Sequence, residues 1–204
     1  MGELLHIEIY KFMLVFLRIG SALAFMPGFT TSYINMRQRL SIAVAVSLVL
    51  VPFLDSYFPP IPSTSAAFIR MISFEILIGV FLGMLMQFLY ASLSLAGSFA
   101  AQAIGFANAQ IFDPAFQTQS VVIETFLSLI ALTVIFVTDL HHLMLSAVID
   151  SYNLFPVTAD LPVGNFAEFL STTLNKSFVM GFKIGSPFIA FTIIFYTGMR
   201  SEEH

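Results

Sequence analysis

Asp139, His141 and His142 stand almost side by side, and their side chains are of types that hold metal ions. On a helix Asp139 and His142 are three apart and share a face, while His141 points elsewhere. A zinc site needs three or four converging ligands with outer partners that orient them. The other imidazoles, His6 and the terminal His204, are distant in the chain. The preferred reading is a polar helix end at a membrane boundary, where histidine favours the negative end of a helix. No metal site is expected, and no cofactor.

Four ionisable residues interrupt apolar stretches: Arg18, Glu75, Glu124 and Lys183. Such residues are costly in lipid and face protein or water. Glu75 and Glu124 fall near expected helix starts, where a carboxylate meets the positive end of the dipole. A proton or ion relay is the sharper alternative, and it needs several such groups to converge. No catalytic constellation is present. There is no HExxH, no GxSxG and no phosphate loop. Cysteine is absent, which removes thiolate ligands and Cys nucleophiles. The chain is not read as an enzyme.

Small residues recur at helical spacing. Gly79 with Gly83, Gly97 with Ala101 and Gly105, and Gly181 with Gly185 each make a smooth stripe. Smooth stripes let backbones approach closely where lipid removes the hydrophobic drive to associate. They serve equally for packing within the chain or against another subunit.

The segment from Gly105 to Ser120 is unusual. It mixes Phe106, Ile111, Phe112 and Phe116 with Asn108, Gln110, Gln117 and Gln119, and carries the turn signal Asp113-Pro114. Backbone outside regular structure cannot face lipid, so such a loop is buried in protein or lines a cavity. An apolar loop lining a pore closes it sterically or by dewetting. A re-entrant loop filling a gap between helices fits the composition as well.

The elements that would position these residues follow from composition. Of 204 residues, 58% are hydrophobic and 10% charged. Soluble domains carry about 25% charged residues, so a soluble globular enzyme is excluded and the chain's solvent is lipid or other apolar protein. Eight Lys and Arg, scattered, with a net charge of −4, make no nucleic-acid footprint. A membrane-spanning helix needs about 20 mostly apolar residues. The candidates are Phe12 to Phe29, a short Leu40 to Phe53, a long stretch from about Phe68 to Gly105, Val121 to Val137, and Asn165 to Met199 with a break at Pro187. Asp139 to Gly164 reads as a polar, acidic connection. The expected fold is therefore all-α and membrane-associated, with about five long helices in hairpins and a buried Phe-rich loop after the third. Arg37 and Arg39 place the first loop in the cytoplasm by the positive-inside tendency. Ala22-Leu23-Ala24 has the form of a signal-peptide cleavage site, but Glu3, Glu8 and Arg18 argue against one.

Several stretches resemble a known family. Glu75-Ile-Leu-Ile-Gly79-Val-Phe-Leu-Gly83 is similar to its ExLIGxxLG helix. Gly105-Phe-Ala-Asn-Ala-Gln-Ile-Phe-Asp113-Pro114, followed by Thr118-Gln-Ser120, resembles its central loop. Asp139-Leu-His141-His142 resembles its D-G-H-H turn, with Leu140 in place of Gly, and Arg18 to Pro27 resembles its first helix. The family is FliR, the flagellar type III export-gate subunits, whose virulence-system counterparts are called SctT or SpaR. The resemblance covers nearly the whole chain, which is taken as one export-gate domain over residues 1–204.

The resemblance implies a gate subunit in the bacterial inner membrane, at the flagellar basal body. It implies assembly with FliP-like, FliQ-like and FlhB-like subunits, contact with lipid and with exported unfolded proteins, and a loop of about Phe106 to Gln117 that plugs the export channel. Family members continue past Tyr196-Thr-Gly198-Met199 to a further turn and a last apolar helix, which this sequence is expected to lack. Flagellar and virulence roles both remain open. A self-contained secondary transporter is the runner-up, and it would need inverted repeats around a midplane ion site.

Overall fold

The computed structural model describes residues 2–30, 34–104, 122–157 and 163–201. Among them every regular element is a helix: α1 (Gly2–Phe25), α2 (Met36–Leu50), α3 (Ser65–Ile104), α4 (Val122–Val137), α5 (Leu140–Leu154) and α6 (Val163–Ser201), with two short 3-10 turns at Val51–Phe53 and Asp55–Tyr57. The all-α expectation holds, with six helices where about five were expected.

Helix α1 begins well before Phe12. Lys11 and Glu8 lower hydropathy, but Lys and Glu are good helix formers, so charge marks a lipid boundary without ending a helix. The helix ends at Pro27-Gly28, where Gly28 takes φ 87° in the left-handed region that stops helices. Helix α2 is entered through Asn35, whose backbone N–H donates to Gln38 Oε1 at 3.2 Å, half of a capping box. Arg39 reaches back from its first turns to the Phe29 carbonyl at 3.4 Å.

The acidic connection after Asp139 is corrected: it is mostly helix α5. Val148, Ser151 and Tyr152 are buried there at i, i+3, i+4, a helical stripe that Asp139 and Asp150 obscure in a hydropathy reading. The break expected at Pro187 is also corrected, since α6 runs through it. Proline has no N–H for the carbonyl four residues back. That carbonyl, of Lys183, accepts instead from Ser186 Oγ at 2.9 Å, so no backbone group is stranded.

The helices gather into two compact units, one made of Met1–Gln87 with Asp139–Leu170, the other of Phe88–Thr138 with Ser171–His204. The core of the first is centred on α1, with Leu14, Val15, Leu23 and Met26 fully buried in one cluster with Met71 of α3 and Val148 of α5. Phe166 stacks on Phe81 there with ring centroids 4.3 Å apart. The second unit is built on small residues: Ser92, Ala96, Gly97 and Ala100 on α3 and Ser177, Gly181 and Gly185 on α6 are buried, with Phe99 edge-on to Phe182 at 5.8 Å.

Among the described residues, three helical stretches are long and apolar enough to cross a membrane: Met36–Phe53, Ser65–Ala100 and Gly164–Ile194. Large apolar side chains are exposed along them and along α4, including Val49, Phe126, Phe191 and Ile194. Apolar surface on this scale belongs to lipid or to a partner subunit.

Candidate functional site

The first unit is tied by one polar node. Arg18 of α1 and Glu75 of α3 are both fully buried. The guanidinium grips the carboxylate with two bonds, Nε to Oε2 at 2.7 Å and Nη2 to Oε1 at 2.8 Å. Two further donors go to α5 and the residue after it: Nη1 to Ser151 Oγ at 3.1 Å and Nη2 to the Phe155 carbonyl at 3.0 Å. The guanidinium also lies over the Tyr152 ring, 3.8 Å from its centroid. Only Arg among the side chains offers a planar fork that serves a carboxylate, a hydroxyl, a carbonyl and an aromatic face together. A buried charge is tolerable when it is paired and hydrogen-bonded, and here one cation unites three helices.

Glycines set the distances around this node. A Cβ at Gly79 would collide with Ser21 Oγ and the Arg18 carbonyl. At Gly83 it would stand 2.6 Å from the Ala22 carbonyl oxygen and 2.8 Å from Phe25 Cβ. The Gly79–Gly83 stripe is therefore the seat of α1, and the absence of a side chain lets Arg18 reach Glu75. The same holds in the second unit. A Cβ on Gly181 would lie 2.7 Å from the Ser92 carbonyl oxygen, and one on Gly185 would lie 2.8 Å from Phe99 Cβ. These faces are occupied by helices of the same chain. Ala101 continues the Gly97 stripe on α3, and Gly105 lies outside the described residues.

The second unit has its own polar node. Glu124, in the first turn of α4, accepts from Ser94 Oγ at 2.5 Å and Ser98 Oγ at 3.0 Å. Gly97 lies between the two serines, and its Cβ would sit 2.6 Å from Glu124 Cα. Two adjacent turns of α3 are thus pinned to the start of α4. The segment joining those helices, with Phe106, Asn108, Gln110, Ile111, Phe112, Asp113, Pro114 and Phe116, lies outside the described residues. The clamp holds the start of α4 against α3.

Of the four ionisable residues singled out in the sequence, the structure brings Arg18 and Glu75 together. Glu124 is taken up by serines, and Lys183 is exposed on α6. Sequence reasoning missed Ser151, Tyr152, Ser94 and Ser98. The signals were a Ser-Tyr pair in register with Val148, and two serines one turn apart flanking Gly97.

Asp139 takes φ 57°, a left-handed conformation that Asp tolerates better than most residues. It precedes α5, and His142 Nδ1 lies 3.6 Å from Asp139 Oδ1. One ligand atom from each of Asp139, His141 and His142 falls within 4.8 Å of the others. Bonds of about 2 Å to a tetrahedral zinc place ligand atoms roughly 3.3 Å apart, so the cluster is open for zinc. It also stands at the positive end of the α5 dipole, which disfavours a cation. In the same unit, Lys11 is hydrogen-bonded to Asp55 and, at 3.2 Å, to Glu8. Asp55 first, and then Glu8, hold its ammonium above the usual lysine pKa.

The sequence pattern of the bacterial export proteins, family 1, matches residues 9–199. Flagellar biosynthetic protein FliR of Caulobacter vibrioides is 35% identical over 92% of this chain and 75% of its own length. The protein of that name from Bacillus subtilis is 28% identical over 88% of this chain and 70% of its length. The one from Escherichia coli is 26% identical over 85% and 66%.

Proposed function

The chain belongs to the bacterial export proteins, family 1, and from that membership we propose that it is a structural subunit of the flagellar protein-export gate, held in the bacterial inner membrane at the basal body. Its neighbours there are FliP-like, FliQ-like and FlhB-like subunits, and its cargo is exported unfolded protein. The relatives matched carry flagellar names, which favours a flagellar over a virulence apparatus.

The mechanism is mechanical. The Arg18–Glu75 node and the glycine seats make rigid helical packing. The connection between α3 and α4, about Phe106 to Gln117, is the moving part: its aromatic side chains block the channel until a polypeptide displaces them. The observation that carries this reading is the Glu124 clamp. It pins the start of α4 to two turns of α3, the two helices that the Phe-rich stretch joins in sequence. Displacement of the loop then leaves the walls standing. The chain has no nucleotide-binding motif, so the driving energy enters through other subunits.

The test is deletion of Phe106 to Asp113 in a strain that assembles the apparatus. The expected result is leakage of small solutes across the inner membrane, with the complex still isolated intact. Unchanged permeability in an assembled deletion complex would defeat the plug.

A further inference from the structure

One line of α6 carries two lysines on the side turned away from α3. Lys176, Met180, Lys183, Pro187 and Ile194 follow one another within about 60° around the helix axis, and all five are exposed. Gly181 and Gly185 lie on the opposite side and are buried against α3. Among the described residues no carboxylate stands within ion-pair distance of Lys176 or Lys183; the ion pairs there involve Lys11, Arg18 and His142.

Both lysines fall inside Gly164–Ile194, a stretch long and apolar enough to cross a membrane. With 1.5 Å of rise per residue they are about 10 Å apart along the axis. In a hydrocarbon layer about 30 Å thick, centring the stretch leaves each ammonium stem roughly 10 Å from the nearer boundary. Sliding the helix until Lys183 reaches one boundary leaves Lys176 about 10 Å inside it. A lysine stem reaches some 6 Å by snorkelling, so lipid headgroups cannot serve both. Ionisable residues at such depth face protein and are paired.

We infer that the Lys176–Lys183 line is a docking face for a helix of a neighbouring subunit. That helix is apolar and carries carboxylates that pair with the two ammonium groups. Met180 and Pro187 supply the apolar floor beside the charges. Gly181 and Gly185 are committed to α3, so the new contact uses the opposite side of α6. The inference rests on the assembly proposed above only for where the partner is found. The unpaired cations do not depend on the plug.

The experiment is amine footprinting with a membrane-permeant N-hydroxysuccinimide ester, on the isolated chain in phosphatidylcholine nanodiscs and on the native complex. Lys176 and Lys183 are expected to label in the nanodisc and to be protected at least about tenfold in the complex. In parallel, K176E/K183E is expected to lower co-purification of the other subunits at least about tenfold, while K176R/K183R retains it. The isolated variant chain should elute as the native one does, since both positions are exposed. Equal labelling in nanodisc and complex would overturn the inference, as would native co-purification by K176E/K183E. Full protection by nanodiscs containing phosphatidylglycerol would assign the charges to lipid and overturn it too. Loop-deletion leakage reads the plug separately, so either proposal can fail while the other stands.

Discussion

Replacing Arg18 with Met isolates what the buried node contributes. Both members of the pair are 0% exposed, so neither is solvated when its partner is lost. Arg18→Met leaves the Glu75 carboxylate without either 2.7–2.8 Å donor and leaves the Phe155 carbonyl unanswered. Removing one partner of a buried pair costs about 3–5 kcal/mol. The further bonds to Ser151 and Phe155 are part of the same network, so their values are not added on top. Arg18→Met/Glu75→Leu removes both charges and keeps apolar volume. It should recover most of the loss, because apolar replacement of a buried pair is often neutral. Arg18→Lys should fall between, since an ammonium cannot form the fork. The assay is denaturant unfolding in detergent micelles followed by helical circular dichroism, read as a double-mutant cycle. A loss below about 1 kcal/mol for Arg18→Met, the range of an exposed ion pair, would refute the reasoning. So would a double variant no more stable than the single one.

Other outcomes follow from the same contacts. Gly79→Val should destabilise by about 1–3 kcal/mol through overpacking against α1, whereas Gly198→Ala, with open space around it, should be neutral or slightly stabilising by unfolding in the same micelles. Glu124→Ala strips the acceptor from Ser94 and Ser98 and should cost about 1–3 kcal/mol. In cells it should produce leakage between that of the native and loop-deleted gates, read by solute uptake. His141→Ala/His142→Ala should leave motility intact, and zinc titration of the purified chain by calorimetry should give no stoichiometric site below about micromolar levels, because the ligands are open and stand at a helix N-terminus.

Sequence reading was reliable where a residue's own type carried the information. Apolar runs located α3, α4 and α6. Glycine spacing marked the seats of α1 and of α3, because a missing side chain is felt wherever backbones meet. Arg18 and Glu75 were conspicuous singly, yet their pairing was not legible: they are 57 residues apart, and only the packing of α1 on α3 brings them together. Helix α5 was hidden because Asp139 and Asp150 dominate a hydropathy count, while its buried stripe rests on just Val148, Ser151 and Tyr152. Pro187 pointed to a break because proline removes a donor. The remedy, a serine hydroxyl bonding the freed carbonyl one turn back, depends on a side-chain rotamer that spacing cannot supply.

The export role turns on whether moving polypeptide passes the segment between α3 and α4. A photo-crosslinking residue placed at Phe112, in assembled gates stalled with an export substrate fused to a folded plug domain, tests this directly. The account predicts adducts between position 112 and the threaded substrate, lost when no substrate is stalled. Adducts to phospholipid alone, with substrate demonstrably in transit, would contradict it.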